Sequence, residues 1–144
     1  MSIEKLFGTQ REFEEDLREE TARILSILRF DIKISKPIKG RSGIKHEVDL
    51  VAEKKDASPA KLLIKCKSIT EETFLRLDEV LCFWAQVLDA AADCGVIITT
   101  CKVSESAARF AEHHRIRIIA GRRPDDLRYK ILESEMFQPT PSSK

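Results

Sequence analysis

Residues 47–68 read EVDLVAEKKDASPAKLLIKCKS, and this stretch decides the fold. Its two ends, 47–52 and 62–67, are apolar and rich in branched residues, and the polar segment 53–60 between them holds Ser58-Pro59, so two strands joined as a hairpin are predicted. Side chains alternate along a strand, which places Glu47, Asp49 and Val51 on one face of the first and Leu63, Lys65 and Lys67 on one face of the second. Asp49 sits in an otherwise apolar run, where an unpaired carboxylate costs on the order of a few kcal/mol unless a cation or hydrogen bonds compensate. An ion pair from Asp49 to Lys65 or Lys67 that merely closes the sheet face is one way to meet that cost.

Outward from the hairpin, helical and strand patterns alternate. Thr9 and Glu12 have the spacing of a capping box, and Phe13, Leu17, Thr21, Ile24 and Leu28 recur at helical intervals behind them. A short strand is expected over 30–34, followed by a loop marked by Pro37, Gly40 and Gly43. A longer helix is expected over 71–92, with Phe74, Leu77, Leu81, Trp84 and Leu88 as its buried stripe, Glu79, Cys82 and Gln86 beside it, and Gly95 as its stop. The β-branched run 96–100 reads as a buried strand, 116–119 as another, with helices over 104–114 and 124–135. A hairpin followed by strands separated by helices implies an α/β fold with a mixed sheet of about five strands flanked by helices.

A chain of 144 residues, 42% hydrophobic and 34% charged, suits one domain over 1–137, with 138–144 expected to be a disordered tail. No apolar run approaches the ~20 residues of a membrane span, and the charged opening is unlike a signal sequence, so a cytoplasmic protein away from membranes is expected. Cys66, Cys82, Cys94 and Cys101 form no Cys-x-x-Cys pair and lie mostly in apolar segments, which points to reduced, buried thiols. Cys94, Cys101, His113 and His114 match no usual zinc spacing. Net charge is only +1, yet Lys33, Lys36, Lys39, Arg41 and Lys45 fall within a stretch without acids, and Arg109, Arg115, Arg117, Arg122 and Arg123 form a second basic group. Either could meet phosphates or simply be solvated surface.

Hydrolysis of a phosphodiester calls for a hard divalent ion held by carboxylates and a lysine that orients water or offsets charge. Asp49 and Lys67 are the candidates for those two tasks. Several stretches around them resemble the PD-(D/E)xK nuclease superfamily and, within it, the Mrr-like domain of type IV restriction endonucleases. They are REFEEDLREETARILSIL (11–28), SGIKHEVDLVA (42–52), KLLIKCKS (61–68), AADCGVIITT (91–100), SESAARFAEHHRIRIIAG (104–121) and DDL (125–127). The resemblance implies a restriction-endonuclease-like core, DNA as partner, Mg2+ or Mn2+ as cofactor if the site is active and none otherwise. It makes Asp49 the metal-binding aspartate and Lys67 the active-site lysine, with Glu14 as the helix glutamate and Gln86 as a looser match on the second helix.

Lys65 departs from that pattern, standing where the family has a metal-binding acid. Lys65 could swing away while Glu47 or Glu79 substitutes, or be neutral through burial, or the site could hold no metal at all. Three functions follow: a metal-dependent DNA endonuclease, a catalytically inactive DNA-binding module using Lys36, Lys39, Arg41 and Lys45, or a protein-interaction subunit. A homodimer is compatible with each.

Overall fold

The computed structural model describes residues 10–55, 57, 59–68, 74–134 and 137, with side chains from Leu17 onward except that of Pro124. The elements are α1 (Gln10–Ile27), β1 (Asp31–Ile34), β2 (Ile38–Lys39), β3 (Lys45–His46), β4 (Leu50–Glu53), β5 (Lys61–Lys67), β6 (Phe74–Leu75), α2 (Leu77–Asp89), β7 (Cys94–Thr99), β8 (Lys102–Val103), α3 (Glu105–His113), β9 (Ile116–Ala120) and α4 (Pro124–Glu133). The capping box expected at Thr9 and Glu12, the Glu14 side chain and the tail 138–144 lie outside the described residues.

Five strands form the central sheet in the order β1-β4-β5-β7-β9. The hairpin is present as read: β4 runs antiparallel to β5, with Leu50 opposite Ile64 and Glu53 opposite Lys61. β1 is antiparallel to β4, whereas β7 is parallel to β5 and β9 parallel to β7, so the sheet is mixed. The parallel strands β5 and β7 are apolar nearly throughout because both of their faces are covered. Leu50, Ala52, Leu62, Ile64, Cys66, Val96 and Ile98 pack with Leu17, Ile24 and Leu25 of α1 and Leu127 and Ile131 of α4. Val51, Leu63, Ile97 and Ile116 pack on the other face with Val80, Phe83 and Val87 of α2 and Ala107 and Ala111 of α3.

Five expectations need correction. The first strand of the hairpin starts at Leu50 rather than at 47, and the loop around Pro37 to Gly43 contains the small β2–β3 hairpin. Phe74 belongs to a two-residue strand parallel to β8, and α2 starts only at Leu77. The buried stripe of α2 is Val80, Phe83 and Val87, while Leu81 and Leu88 are 42% and 55% exposed and Trp84 is half-buried against His114. Gly95 does not stop the helix. It lies inside β7, where a Cβ would sit 2.7 Å from both Phe83 Cε2 and Val87 Cγ2, so its bareness lets α2 press onto the sheet.

Both long helices end without glycine. Arg29 (φ 72°) follows α1 and Ala91 (φ 55°) follows α2, each in the left-handed region. Around Ala91 the N–H of Ala92 donates to Val87 O and that of Ala91 to Leu88 O, both at 3.1 Å, the bonding pattern of a Schellman motif. Phe30 N to Leu25 O and Arg29 N to Ser26 O, both 3.0 Å, repeat it after α1. Ala91→Gly is therefore expected to stabilise the fold by about 0.5–1 kcal/mol, since relief of the Cβ strain outweighs the added chain entropy. Chemical denaturation of the two proteins measures it; a loss of stability would contradict the assignment.

Candidate functional site

Asp49 stands immediately before β4, one residue past the last paired position of the hairpin. Its backbone carbonyl accepts from Ser35 N at 2.8 Å on the β1 side, and its Oδ2 accepts from Cys66 N at 2.8 Å on the β5 side. The carboxylate thus takes the place of a ladder bond where β4 stops pairing. Its other oxygen faces Arg18 Nε at 3.7 Å, and Arg18 also donates to Ser35 Oγ. Asp49 is balanced by Arg18 and a backbone N–H, not by Lys65 or Lys67 as the simplest sequence pairing had it.

Lys65 and Lys67 follow Leu63 on the sheet face covered by α2, as strand alternation requires. Lys67 is paired with Glu79 from the first turn of α2. Among the described residues Lys65 makes no ion pair. It lines a cleft of about 420 Å³ together with Arg18, Ser35, Glu47, Asp49, Phe83 and Gln86. The fold therefore brings Asp49, Glu47, Lys65 and Gln86 together and sets Lys67 with Glu79 aside as a pair.

The hairpin of β2 and β3 rises from the rim of this cleft, since Ser35, Pro37 and Glu47, which flank it in sequence, line the cleft. Lys36, Lys39, Arg41 and Lys45 are all exposed on it, and Lys33 turns to Glu53. The second basic group is divided. Arg115 precedes β9 and its carbonyl accepts from Gly95 N at the far end of the sheet, whereas Arg122 and Arg123 follow β9 at the same sheet end as Lys67 and Asp49.

Three of the four thiols, Cys66, Cys94 and Cys101, are buried as expected, and Cys82 is the exposed exception. Burial pushes the Cys94 thiol up to about 11, with Asp93 adding to the effect. No group of three His, Cys, Asp or Glu side chains suited to a metal ion exists among the described residues.

Two functional features escaped sequence reading. Arg18 had no local signal, since its partners Ser35 and Asp49 lie in other parts of the chain. Asp89, at the end of α2, had no local signal. It accepts from Ser42 N at 2.9 Å, Ser42 Oγ at 2.7 Å and His46 Nε2 at 2.6 Å, and its carbonyl accepts from Arg41 N at 2.8 Å. Because a carboxylate only accepts, His46 Nε2 carries a proton here.

The His46 bond first, then those from Ser42, hold the Asp89 carboxyl down to about 2. A carboxylate whose folded value lies below its unfolded value of about 3.9 adds stability that is present above about pH 4 and lost as pH falls toward its folded value. Acidification is thus expected to loosen the 40–46 segment only near pH 2. Following the Ser42 amide resonance checks this, and a midpoint near 4 would contradict it.

Against known proteins, a model described as "Restriction endonuclease", the Mrr-type catalytic domain, matches residues 10–126. The chain belongs to this family. The family and the five-stranded mixed sheet are those of a PD-(D/E)xK-like nuclease fold. A crystal structure of a protein of unknown function, AF1548, is similar with TM-score 0.62 and 25% identity, covering 72% of this chain and 57% of that one. Can2 from Sulfobacillus thermosulfidooxidans in complex with cyclic tetra-adenylate gives TM-score 0.67 at 12% identity, covering 93% and 38%. The MspJI restriction endonuclease in complex with a 27-mer oligonucleotide gives TM-score 0.53 at 18% identity, covering 86% and 28%. The last two share the fold. This chain spans between about a quarter and somewhat over half of these proteins' lengths. No curated protein matches it in sequence.

The family's nucleases generally use divalent metals, and the described residues do not fit one. One Asp49 oxygen is held by Cys66 N–H and the other faces a guanidinium. Glu79 is taken up by Lys67, and Lys65 brings a positive charge to the same cleft. No helix among the described residues is long and apolar enough to cross a membrane.

Proposed function

We propose that this chain is a nuclease-fold DNA-binding module whose metal site has been replaced by cations. The carrying observation is the character of the cleft: among the described residues Lys65 has no carboxylate partner, and the buried Arg18 Nε, although ion-paired with Asp49 Oδ1 at 3.7 Å, makes no hydrogen bond. A buried donor left unsatisfied is costly, and a backbone phosphate oxygen would satisfy it. Lys36, Lys39, Arg41 and Lys45, exposed on the hairpin at the rim, extend the positive surface along which a duplex could lie. Arg122 and Arg123 support the same sheet end.

Glu47 favours a second reading. It lines the cleft with Asp49, so a carboxylate shift could assemble a Mg2+- or Mn2+-dependent endonuclease, with Lys67 as its lysine and Glu14 or Gln86 in support.

The deciding experiment combines salt-dependent binding to duplex DNA with nicking of supercoiled DNA in Mg2+ or Mn2+. The module reading expects salt-sensitive binding weakened by Arg18→Ala or Lys65→Ala, without nicking. Metal-dependent nicking abolished by Asp49→Ala would replace it with the endonuclease reading. Absence of binding even at low salt would leave a protein-interaction role.

A further inference from the structure

We propose that Asp89 is a positioning residue that clamps the basic β2–β3 hairpin in its DNA-contacting orientation; this rests on the DNA-binding reading above. The hairpin has little to hold it on its own. Each of its strands has two residues, and its ladder places Lys39 directly opposite Lys45. An isolated two-stranded ribbon is marginal in water, and like charges across a ladder destabilise it further.

Asp89 supplies the missing hold from outside the hairpin. Its carboxylate gathers Ser42 N, Ser42 Oγ and His46 Nε2, while its carbonyl takes Arg41 N. Gly40 is shaped to this contact, because a Cβ there would fall 1.9 Å from Asp89 Oδ2. Asp89 lies one turn beyond Gln86, which lines the cleft, so the same helix that borders the cleft sets the hairpin's angle to it. The facing pair Lys39 and Lys45 then forms a preorganised two-cation grip whose mutual repulsion an anion such as a phosphodiester relieves.

The test compares the parent, Lys39→Ala/Lys45→Ala, Asp89→Ala and the triple variant by DNA-binding anisotropy across a salt series. Thermal melts accompany it, and hydrogen exchange is followed at the Ser42 and Ile44 amides. The lysine pair is expected to lower the salt slope by about 2. Asp89→Ala is expected to weaken binding about tenfold, with a similar loss of slope and faster exchange in the hairpin. In the Asp89→Ala background the lysine substitutions should add little, an outcome that simple destabilisation would not produce.

If Asp89→Ala does not fold, Ser42→Ala/His46→Leu removes the side-chain donors from the hairpin side and reads the same quantity. Parent-like binding by a folded clamp variant, or lysine effects undiminished in its background, overturns the clamp alone. A parent that does not bind DNA overturns the clamp and the DNA-binding reading together.

Discussion

Lys65→Glu is expected to bind Mn2+ where the parent does not, as measured by calorimetric titration of the two folded proteins. A lysine roughly 4 Å from a divalent ion opposes it by about 8 kcal/mol at an effective dielectric of ~20, and a carboxylate in the same place reverses the sign. Even a small fraction of that swing matters, since about 1.4 kcal/mol is tenfold in affinity. The introduced carboxylate would lie with Asp49 in the cleft that Lys65 now lines, giving an ion two acids where the parent has one acid and a lysine. Arg18, which faces Asp49 Oδ1, would still oppose the ion, so adding Arg18→Leu is expected to tighten binding, and adding Asp49→Ala to abolish it. Parent protein that binds Mn2+ as well as Lys65→Glu would show that another carboxylate already compensates, and would favour the endonuclease.

The largest expected loss of stability comes from Phe83→Ala, at about 3–5 kcal/mol, or a melting point lower by roughly 10–17 °C. Phe83 is 2% exposed, packs against the bare face of Gly95 and borders the cleft, so its removal opens a cavity between α2 and the sheet. Leu88→Ala, on the neighbouring stripe of the same helix, is expected to change stability by less than about 1 kcal/mol because the side chain is already 55% exposed. Equal losses from the two would mean that α2 is rotated from the orientation described.

This contrast marks a limit of periodicity. Leu77, Leu81, Trp84 and Leu88 recur at helical intervals, but so do Val80, Phe83 and Val87, about 100° away around the helix. Hydropathy does not separate the two stripes; contact with the sheet selects the valines and the phenylalanine. The β-branched residues allow close approach, and Gly95, which reads locally as a stop, provides room for the ring. Short segments were missed for a related reason: β2, β3, β6 and β8 have two residues each and are held by distant partners rather than by local preference.

The site divides in the same way. The hairpin, its antiparallel pairing and the two lysines on the α2-covered face of β5 follow from alternation within residues 47–68. Glu47 beside Asp49 was legible from strand alternation and Gln86 loosely from the family resemblance, although Asp49 was read as lying within the strand rather than just before it. Arg18 and Asp89 were not, because their partners stand 31 residues away (49 − 18) and 43 to 47 residues away in sequence.

By itself, then, the sequence determined the α/β mixed sheet, the family and the lysine at the acid position, all of which rest on side-chain order along single strands and helices. Only the tertiary structure decided which charges meet: Arg18 with Asp49, Lys67 with Glu79, and Asp89 with the basic hairpin. The physical reason is that alternation and helical period specify which way a side chain leaves its own element. Which opposite charge or donor lies there depends on how separate elements pack, here α1, α2 and the hairpin around the end of β5.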